Sequence, residues 1–317
     1  MTKQADIIGD KNYIPVLDKG FVGVVETMGT DSSIVQAARV SYGKGTKSVN
    51  QDRGLIRYLI KHFHTSPVEM CVVKFHLRMP IFVARQWIRH RTASLNEESA
   101  RYSEMTDEFY MPDYDVIQPQ STDNKQGRFG NISEKNKSGV QWILETVYNH
   151  ALGGYKILLG NKDKELVEDW YDVYNQKNGI LEEDFEGVAR ELARVAMPVS
   201  AYTEMYWKMD LHNLLHFLRL RQDSHAQYEI RVFADAIYEL LLERFPLTME
   251  SYNDYIRNSY TLSRMDMLLI KDFVSSGKEY NTWYSDQVAV FKNEKELAKH
   301  YGMSERELVE LKQKVLK

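Results

Sequence analysis

The sequence predicts an α+β protein. Two stretches carry a strand signal, and several longer ones carry the spacing of amphipathic helices. In MCVVKFHLRM (70–79), Cys71, Val73, Phe75, Leu77 and Met79 alternate with Met70, Val72, Lys74, His76 and Arg78. That period of two belongs to a strand with one apolar face. FVGVVETM (21–28), rich in β-branched residues, reads as a second strand.

Taken in order, Asp31 is expected to cap a helix over SSIVQAARV, because a short acidic side chain suits the free amides of a first turn. RGLIRYLIKHF (53–63) repeats Leu55, Ile56, Leu59, Ile60 and Phe63 at helical spacing, and the turn HTSPVEM follows. Pro80 is expected at the first position of a helix PIFVARQWIRH, where its missing N–H costs nothing. Residues 113–135 read as a polar surface excursion, and helices are expected over 137–158, 182–196, 210–221 and 225–245. Ser224 and Gln227 form a capping-box pattern for the last of these. Beyond about residue 258 the segments are short, ending in EKELAKHYG and SERELVELKQK, the second with its own box at Ser304 and Glu307. This pair has the outline of a helix-turn-helix, though a fragment of that size is more often a packing or oligomerisation element.

The net charge of −4 and pI near 6.2 supply no general basic field for nucleic acid or anionic membrane, so anion binding must be local. No apolar run approaches the roughly 18 residues of a membrane span, and MTKQADIIGDKNY lacks the apolar stretch of a signal peptide. A cytoplasmic protein is expected. A single cysteine, Cys71, excludes an internal disulfide and any zinc site built on several thiolates. Its place on the apolar face of a strand predicts a buried core thiol.

Arg85, Gln86 and Arg89 fall within one arc of the Pro80 helix, with Ile81, Val83, Ala84, Trp87 and Ile88 on the other side. Arg91, Ser94, Asn96, Glu97, Ser99 and Arg101 follow, a set of planar donors and hydroxyls suited to a phosphate or carboxylate; a solvated helix face is the alternative. In DLHNLLHFLRLRQDS (210–224), Leu211, Leu214, Leu215, Phe217 and Leu218 form the apolar side and His212, His216, Arg219 and Asp223 the opposite stripe. Arg221 lands on the apolar side, where it must snorkel, pair with a carboxylate or meet a ligand. Arg190 and Arg194, four apart on another expected helix, repel unless an anion lies near. His212 and His216 have zinc-helix spacing, but HNLLH has Asn213 where a metalloprotease needs a glutamate. No G-x-G-x-x-G follows a strand, and GKGTKS (43–48) lacks P-loop spacing.

The run RHRTASLNEESARY (89–102) fits R-H-R-x-x-S-x-N-E-x-S-x-R-Y and resembles the signature of the flavin-dependent thymidylate synthases. The resemblance extends to LDKGFVGVVETMG, QAARVSYG, HTSPVEM, PIFVARQWIRHR, ELARVAMP and RLRQDSHAQYEIR, spanning roughly residues 16–250. It implies a mixed or antiparallel sheet flanked by helices, in the thymidylate synthase-complementing protein fold, assembled as a homotetramer. The implied domain covers 16–257, between an N-terminal extension (1–15) and a C-terminal extension (258–317) of unknown role. The implied reaction is reductive methylation of dUMP to dTMP, with FAD bound between subunits, NADPH as reductant and methylenetetrahydrofolate as carbon donor. Such chemistry needs no cysteine nucleophile.

By the same resemblance, the dUMP site comprises Gln86, Trp87, Ile88, Arg89, Glu97, Glu98, Ser99, Ala100, Arg101, Arg194 and Arg221. Ser99, Arg101 and Arg194 would meet the phosphate, and Arg221 would act catalytically by favouring ionisation at uracil N3. FAD would be met by His64, Ser66, Glu69, Arg89, His90, Arg91, Glu97, Asp210, Leu211, His212, His216 and His225, and no metal is expected. Many family members carry asparagine and arginine where this chain has Asp210 and His212, so contacts there are expected to differ. Two rival readings are a single-strand nucleic-acid module using Trp87, Tyr102 and Tyr110, and a metallohydrolase using His62, His64, His212, His216 and His225.

Overall fold

The computed structural model describes residues 2–40, 49–122, 127–161, 181 and 185–315. GKGTKS and the first three residues of the expected 182–196 helix lie outside them. The chain divides into two compact units, Met1–Tyr252 and Asn253–Lys317.

The first unit is built on a five-stranded antiparallel sheet of order β1-β2-β3-β5-β4. Its strands are β1 (Tyr13–Val16), β2 (Gly20–Met28), β3 (Val72–Pro80), β4 (Ser94–Glu97) and β5 (Tyr202–Asp210). Strands β3 and β5 pair over nine residues without a register break, from Val72 opposite Asp210 to Pro80 opposite Tyr202. The expected apolar face of β3 is there: Cys71, Val73, Phe75, Leu77 and Met79 are all inaccessible to solvent. Its other face is not solvated as expected, because His76 and Arg78 are buried too. Arg78 donates to Lys19 O (2.8 Å), pairs with Glu108 and lies over the Tyr202 ring, which offsets the cost of removing a guanidinium from water. His76 lies between Tyr13 Oη (3.1 Å) and Glu204 Oε1 (2.6 Å) and stacks on Tyr206.

Around the sheet lie α1 (Asp31–Ala38), α2 (Val49–Lys61), α3 (Ile81–Trp87), α4 (Glu134–Leu158), α5 (Arg190–Ala193), α6 (Leu211–Arg221), α7 (Tyr228–Arg244) and α8 (Pro246–Tyr252). Among the described residues no helix is long and apolar enough to cross a membrane. Several expected helix starts move. Thr30, not Asp31, caps α1. The Asp31 carboxylate instead accepts from Leu247 N (2.8 Å), Thr248 N (3.1 Å) and Thr248 Oγ1 (2.6 Å), so it serves the free amides of α8. Helix α7 begins at Tyr228, and the Ser224–Gln227 box does not form. Asp223 takes that turn, accepting from His225 N (2.8 Å) and Nδ1 (2.7 Å), while Gln227 donates to the buried Glu229 (2.8 Å). Within the expected 182–196 helix, only α5 and a 3-10 turn at Arg194–Ala196 are helical among the described residues.

The second unit carries α9 (Arg264–Ser276), α10 (Tyr280–Phe291), α11 (Glu294–His300) and α12 (Glu305–Val315) around its own core, which includes Leu269, Trp283, Leu297, Leu308 and Leu311. The expected capping box is present: Ser304 N donates to Glu307 Oε2 (2.7 Å) and Glu307 N to Ser304 Oγ (3.2 Å). Replacing Asp31 with alanine removes three hydrogen bonds to one buried carboxylate. The expected cost is about 2–3 kcal/mol, read as a lowered urea midpoint at unchanged slope.

Candidate active site

Helix α3 leaves the end of β3 at Pro80, which is the N-cap rather than the first helical residue. Its first two amides are not left free: Ile81 N donates to Ala201 O and Phe82 N to Val199 O, both at 2.9 Å. Val83, Ala84 and Trp87 are buried as expected, whereas Ile88 is exposed because the helix ends at Trp87 and Ile88–His90 form a turn. The Trp87 indole packs against Trp207 (5.2 Å between ring centroids) and Phe217 (4.6 Å). Trp87 as a whole is inaccessible to solvent within one chain, and its carbonyl accepts from His90 N (3.0 Å).

The segment after α3 includes a short edge strand. β4 pairs with β5, Glu97 opposite Met205, and Glu98 N continues the ladder to Glu204 O (2.9 Å). This pairing brings Glu97, Glu98 and Ala100 to a cleft of about 450 Å³ that Arg85, Met105, Arg194, Met197, Tyr202 and Thr203 also line. The size suits a small organic ligand. Thr203 Oγ1 donates to Glu97 Oε1 (2.8 Å) and fixes that carboxylate. Burial, and then the charge of Glu204, raise the Glu98 carboxyl above the usual range. Arg85, Met105, Met197, Tyr202 and Thr203 were not among the expected site residues. Arg85 belongs to the polar arc of α3 and Met197 to the ELARVAMP run, whereas Met105, Tyr202 and Thr203 fall in no motif.

The arginines differ in what they meet, and among the described residues several outside the expected site, such as Arg231 and Arg244, also donate only to carbonyl or amide oxygens. Arg39, Arg53, Arg57, Arg78 and Arg128 each meet a carboxylate. Among the described residues, Arg85, Arg89, Arg91, Arg101, Arg190, Arg194 and Arg221 make no ion pair, although carboxylates lie along the same segments. Arg194 donates to Glu191 O (3.2 Å), Arg190 to Tyr102 O (3.3 Å), and Arg101 lies over the Tyr102 ring. Backbone carbonyls and a ring orient these guanidinium groups and leave their charge uncompensated, the condition for binding an anion.

A second group forms where α3 and α6 end. Arg221 Nε donates to His90 Nε2 (2.9 Å) and Arg221 Nη2 to Gln86 O (3.3 Å). Burial, then Arg221 and His216, lower the His90 imidazole to about 4. Burial also lowers Arg221 below the usual arginine value. Gln86 Nε2 reaches Gln227 Oε1 (2.5 Å). None of Gln86, Arg89, His90 and Arg221 lines the 450 Å³ cleft, so one chain presents the expected dUMP residues in two groups. Ser99 and Arg101 flank the cleft-lining Ala100 in sequence.

Of the expected flavin residues, His64 and Ser66 are exposed and Glu69 is partly so. Helix α2 is followed by Phe63 in the left-handed region (φ 56°), and the chain then turns so that His62 and His64 both pack on Tyr58. Leu211 is fully buried, and on α6 His212 is half-buried and His216 exposed. The Asp210 carboxylate caps α6, accepting from Asn213 N (2.9 Å) and Nδ2 (2.7 Å). His225 lines a separate cleft of about 1100 Å³ with Gln118, Arg128, Tyr228 and Arg231. For the rival readings, Trp87 and Tyr110 are buried, which removes two of the three stacking aromatics. The five histidines of a metallohydrolase form no cluster of three or more potential ligands with one another or with acidic residues among the described residues.

The antiparallel sheet flanked by helices, with a cleft that Arg85, Arg194, Glu97 and Glu98 line, defines an α+β protein. Residues 23–247 match the family described as thymidylate synthase complementing protein, and the chain belongs to that family. It is 50% identical over 266 residues to the flavin-dependent thymidylate synthase of Rickettsia prowazekii, covering 84% of this chain and 86% of that one. It is 47% identical over 260 residues to the flavin-dependent thymidylate synthase of Ehrlichia ruminantium (strain Gardel), covering 82% and 79%. Among solved structures it is similar to the UMP/dUMP methylase PolB from Streptomyces cacaoi bound with 5-Br dUMP. That match has a TM-score of 0.62 and 30% identity, covering 78% of this chain and all of that one.

Because His90 is held neutral with its folded value depressed to about 4, its neutral form contributes stability above the ordinary histidine value of about 6.5. That contribution is lost as pH falls toward 4. The difference in urea midpoint between wild type and His90→Gln is therefore expected to be constant above about pH 6.5 and to shrink below it.

Proposed function

We propose that this chain is a cytoplasmic flavin-dependent thymidylate synthase. It converts dUMP to dTMP, taking a one-carbon unit from methylenetetrahydrofolate and reducing equivalents from NADPH, and works as a homotetramer. The observation that carries this reading is the set of unpaired arginines on the signature run and around the 450 Å³ cleft. The names of the relatives support the same chemistry.

In this reading the cleft receives the nucleotide. Arg194, Arg101 and Ser99 meet its phosphate, a dianion that answers uncompensated guanidinium charge. Arg221 faces the uracil edge, where a fixed cation stabilises the negative charge that develops when N3 loses its proton and the ring becomes nucleophilic. The cleft group and the Arg221 group come from different copies of the chain, which accounts for their division within one copy. Arg89, His90, Arg91, Ser66, Glu69, His216 and His225 fit FAD: cationic forks suit a pyrophosphate, while imidazoles and a hydroxyl suit the polar edges of the rings. When bound, the flavin supplies the hydride that completes the methyl group. Cys71 stands apart from the reaction, since burial and the nearby Asp31 push its thiol up to about 11 and leave it protonated.

The purified protein is expected to be yellow or to become so on reconstitution with FAD; a chain that cannot take up flavin contradicts the reading. Arg221→Ala is expected to lower dTMP formation by about 100- to 1000-fold, the range for losing one charge-stabilising donor, while FAD stays bound. Cys71→Ala is expected to turn over at a near wild-type rate, measured as tritium release from [5-³H]dUMP.

A further inference from the structure

The contact between His90 and Arg221 has a property that a salt bridge would lack. Both acceptors that hold Arg221, His90 Nε2 and Gln86 O, are neutral, and among the described residues no carboxylate lies within ion-pair distance. Since Nε2 accepts from Arg221 Nε, the proton of the neutral ring sits on Nδ1. The ring also packs edge-to-face with Phe217 (4.8 Å between centroids, 74° between planes), a contact that restricts it on that side. Burial, Arg221 and His216 all oppose a proton at Nε2. The guanidinium thus has two of its three nitrogens tethered and Nη1 without a protein partner among the described residues, with its full charge unspent.

We infer that His90 is a positioning residue that orients Arg221 through a neutral acceptor, so that the guanidinium meets the uracil ring with its charge uncompensated. This rests on the proposed role of Arg221 at uracil N3 and is separate from any contact His90 makes with flavin. A carboxylate at position 90 would hold Arg221 equally well. It would also cancel much of the charge that favours the ring anion, since opposite charges a few ångströms apart interact strongly in a partly desolvated site.

Three variants of the full-length protein separate geometry from charge. His90→Gln keeps a neutral acceptor near the Nε2 position, His90→Asn withdraws it toward the Nδ1 position, and His90→Glu keeps the acceptor and adds a charge. Each is read by FAD absorbance, by KM and kcat for dUMP with FAD saturating, and by the ¹⁵N signal of bound [3-¹⁵N]dUMP. The Gln variant is expected to keep the wild-type N3 signal and to serve as the reference for the other two, with any loss of FAD affinity read separately from the absorbance. The Glu variant is expected to lose about tenfold or more relative to Gln, with the N3 signal moved toward the protonated form. The Asn variant is expected to lose kcat without a matching rise in KM. Equal kcat for Gln and Glu, or for Gln and Asn, overturns the inference. If the Glu variant does not fold, the Gln and Asn pair decides it. Full turnover by Arg221→Ala would instead defeat the underlying assignment of Arg221, whatever the position 90 variants do.

Discussion

The pairing of β3 with β5 is the constraint on which the rest of the first unit depends. The two strands run antiparallel in unbroken register, and each leads directly into a helix at its own end: β3 into α3 through Pro80, β5 into α6 through Asp210. Both helices pack on β5, and both are pinned by one aromatic cluster. Trp87 of α3, Trp207 of β5 and Phe217 of α6 lie 4.6–5.2 Å apart between ring centroids. Such contacts contribute roughly 0.5–1.5 kcal/mol each beyond area burial. Their consequence is positional, because they bring the end of α3 to the end of α6, where His90 meets Arg221. The other edge of β5 holds β4, which delivers Glu97 and Glu98 to the cleft.

Several arginines differ by partner, although Arg244 holds the fold through Leu240 O and Asn12 Oδ1 without a carboxylate. Others of the fold meet carboxylates at close range, as Arg78 meets Glu108 and Arg39 meets Asp52 at 2.6 Å. Those of the site are held by carbonyls, an aromatic face or a neutral imidazole, so their charge stays available to a ligand. The same logic explains why a lone buried thiol is no obstacle to the proposed chemistry: activation of the pyrimidine is assigned to a fixed cation rather than to a thiolate.

Much of this was legible in the sequence, and the failures have physical causes. Strand β3 announces itself by periodicity and β2 by its β-branched composition, and the apolar face of α6 follows helical spacing, with Leu211, Leu214, Leu215, Phe217 and Leu218 all buried. Strand β5 was readable but unread: Met205, Trp207 and Met209 alternate with Glu204, Tyr206 and Lys208, and the first three are buried. Strand β4 has no such pattern, because an edge strand of four exposed residues is defined by its partner's backbone. Asp31 and Ser224 were sound cap candidates by residue type alone. Only the tertiary fold shows that Asp31 serves α8 and that Asp223 takes the turn before α7. At the site, the spacing of Arg89 to Tyr102 singled out the segment. The neutral partner of Arg221 lies 131 positions away in sequence and was out of reach of any local rule.

In the proposed function the nucleotide site joins the Arg194 cleft of one copy to the Arg221 group of another. The most direct test mixes two inactive variants, Arg194→Ala and Arg221→Ala, under conditions that exchange subunits, with mixed assembly verified by native mass spectrometry. Each hybrid then contains sites in which an intact Arg194 and an intact Arg221 face the same nucleotide. The account predicts that dTMP formation returns in the mixture. Hybrids as inactive as either parent would contradict it.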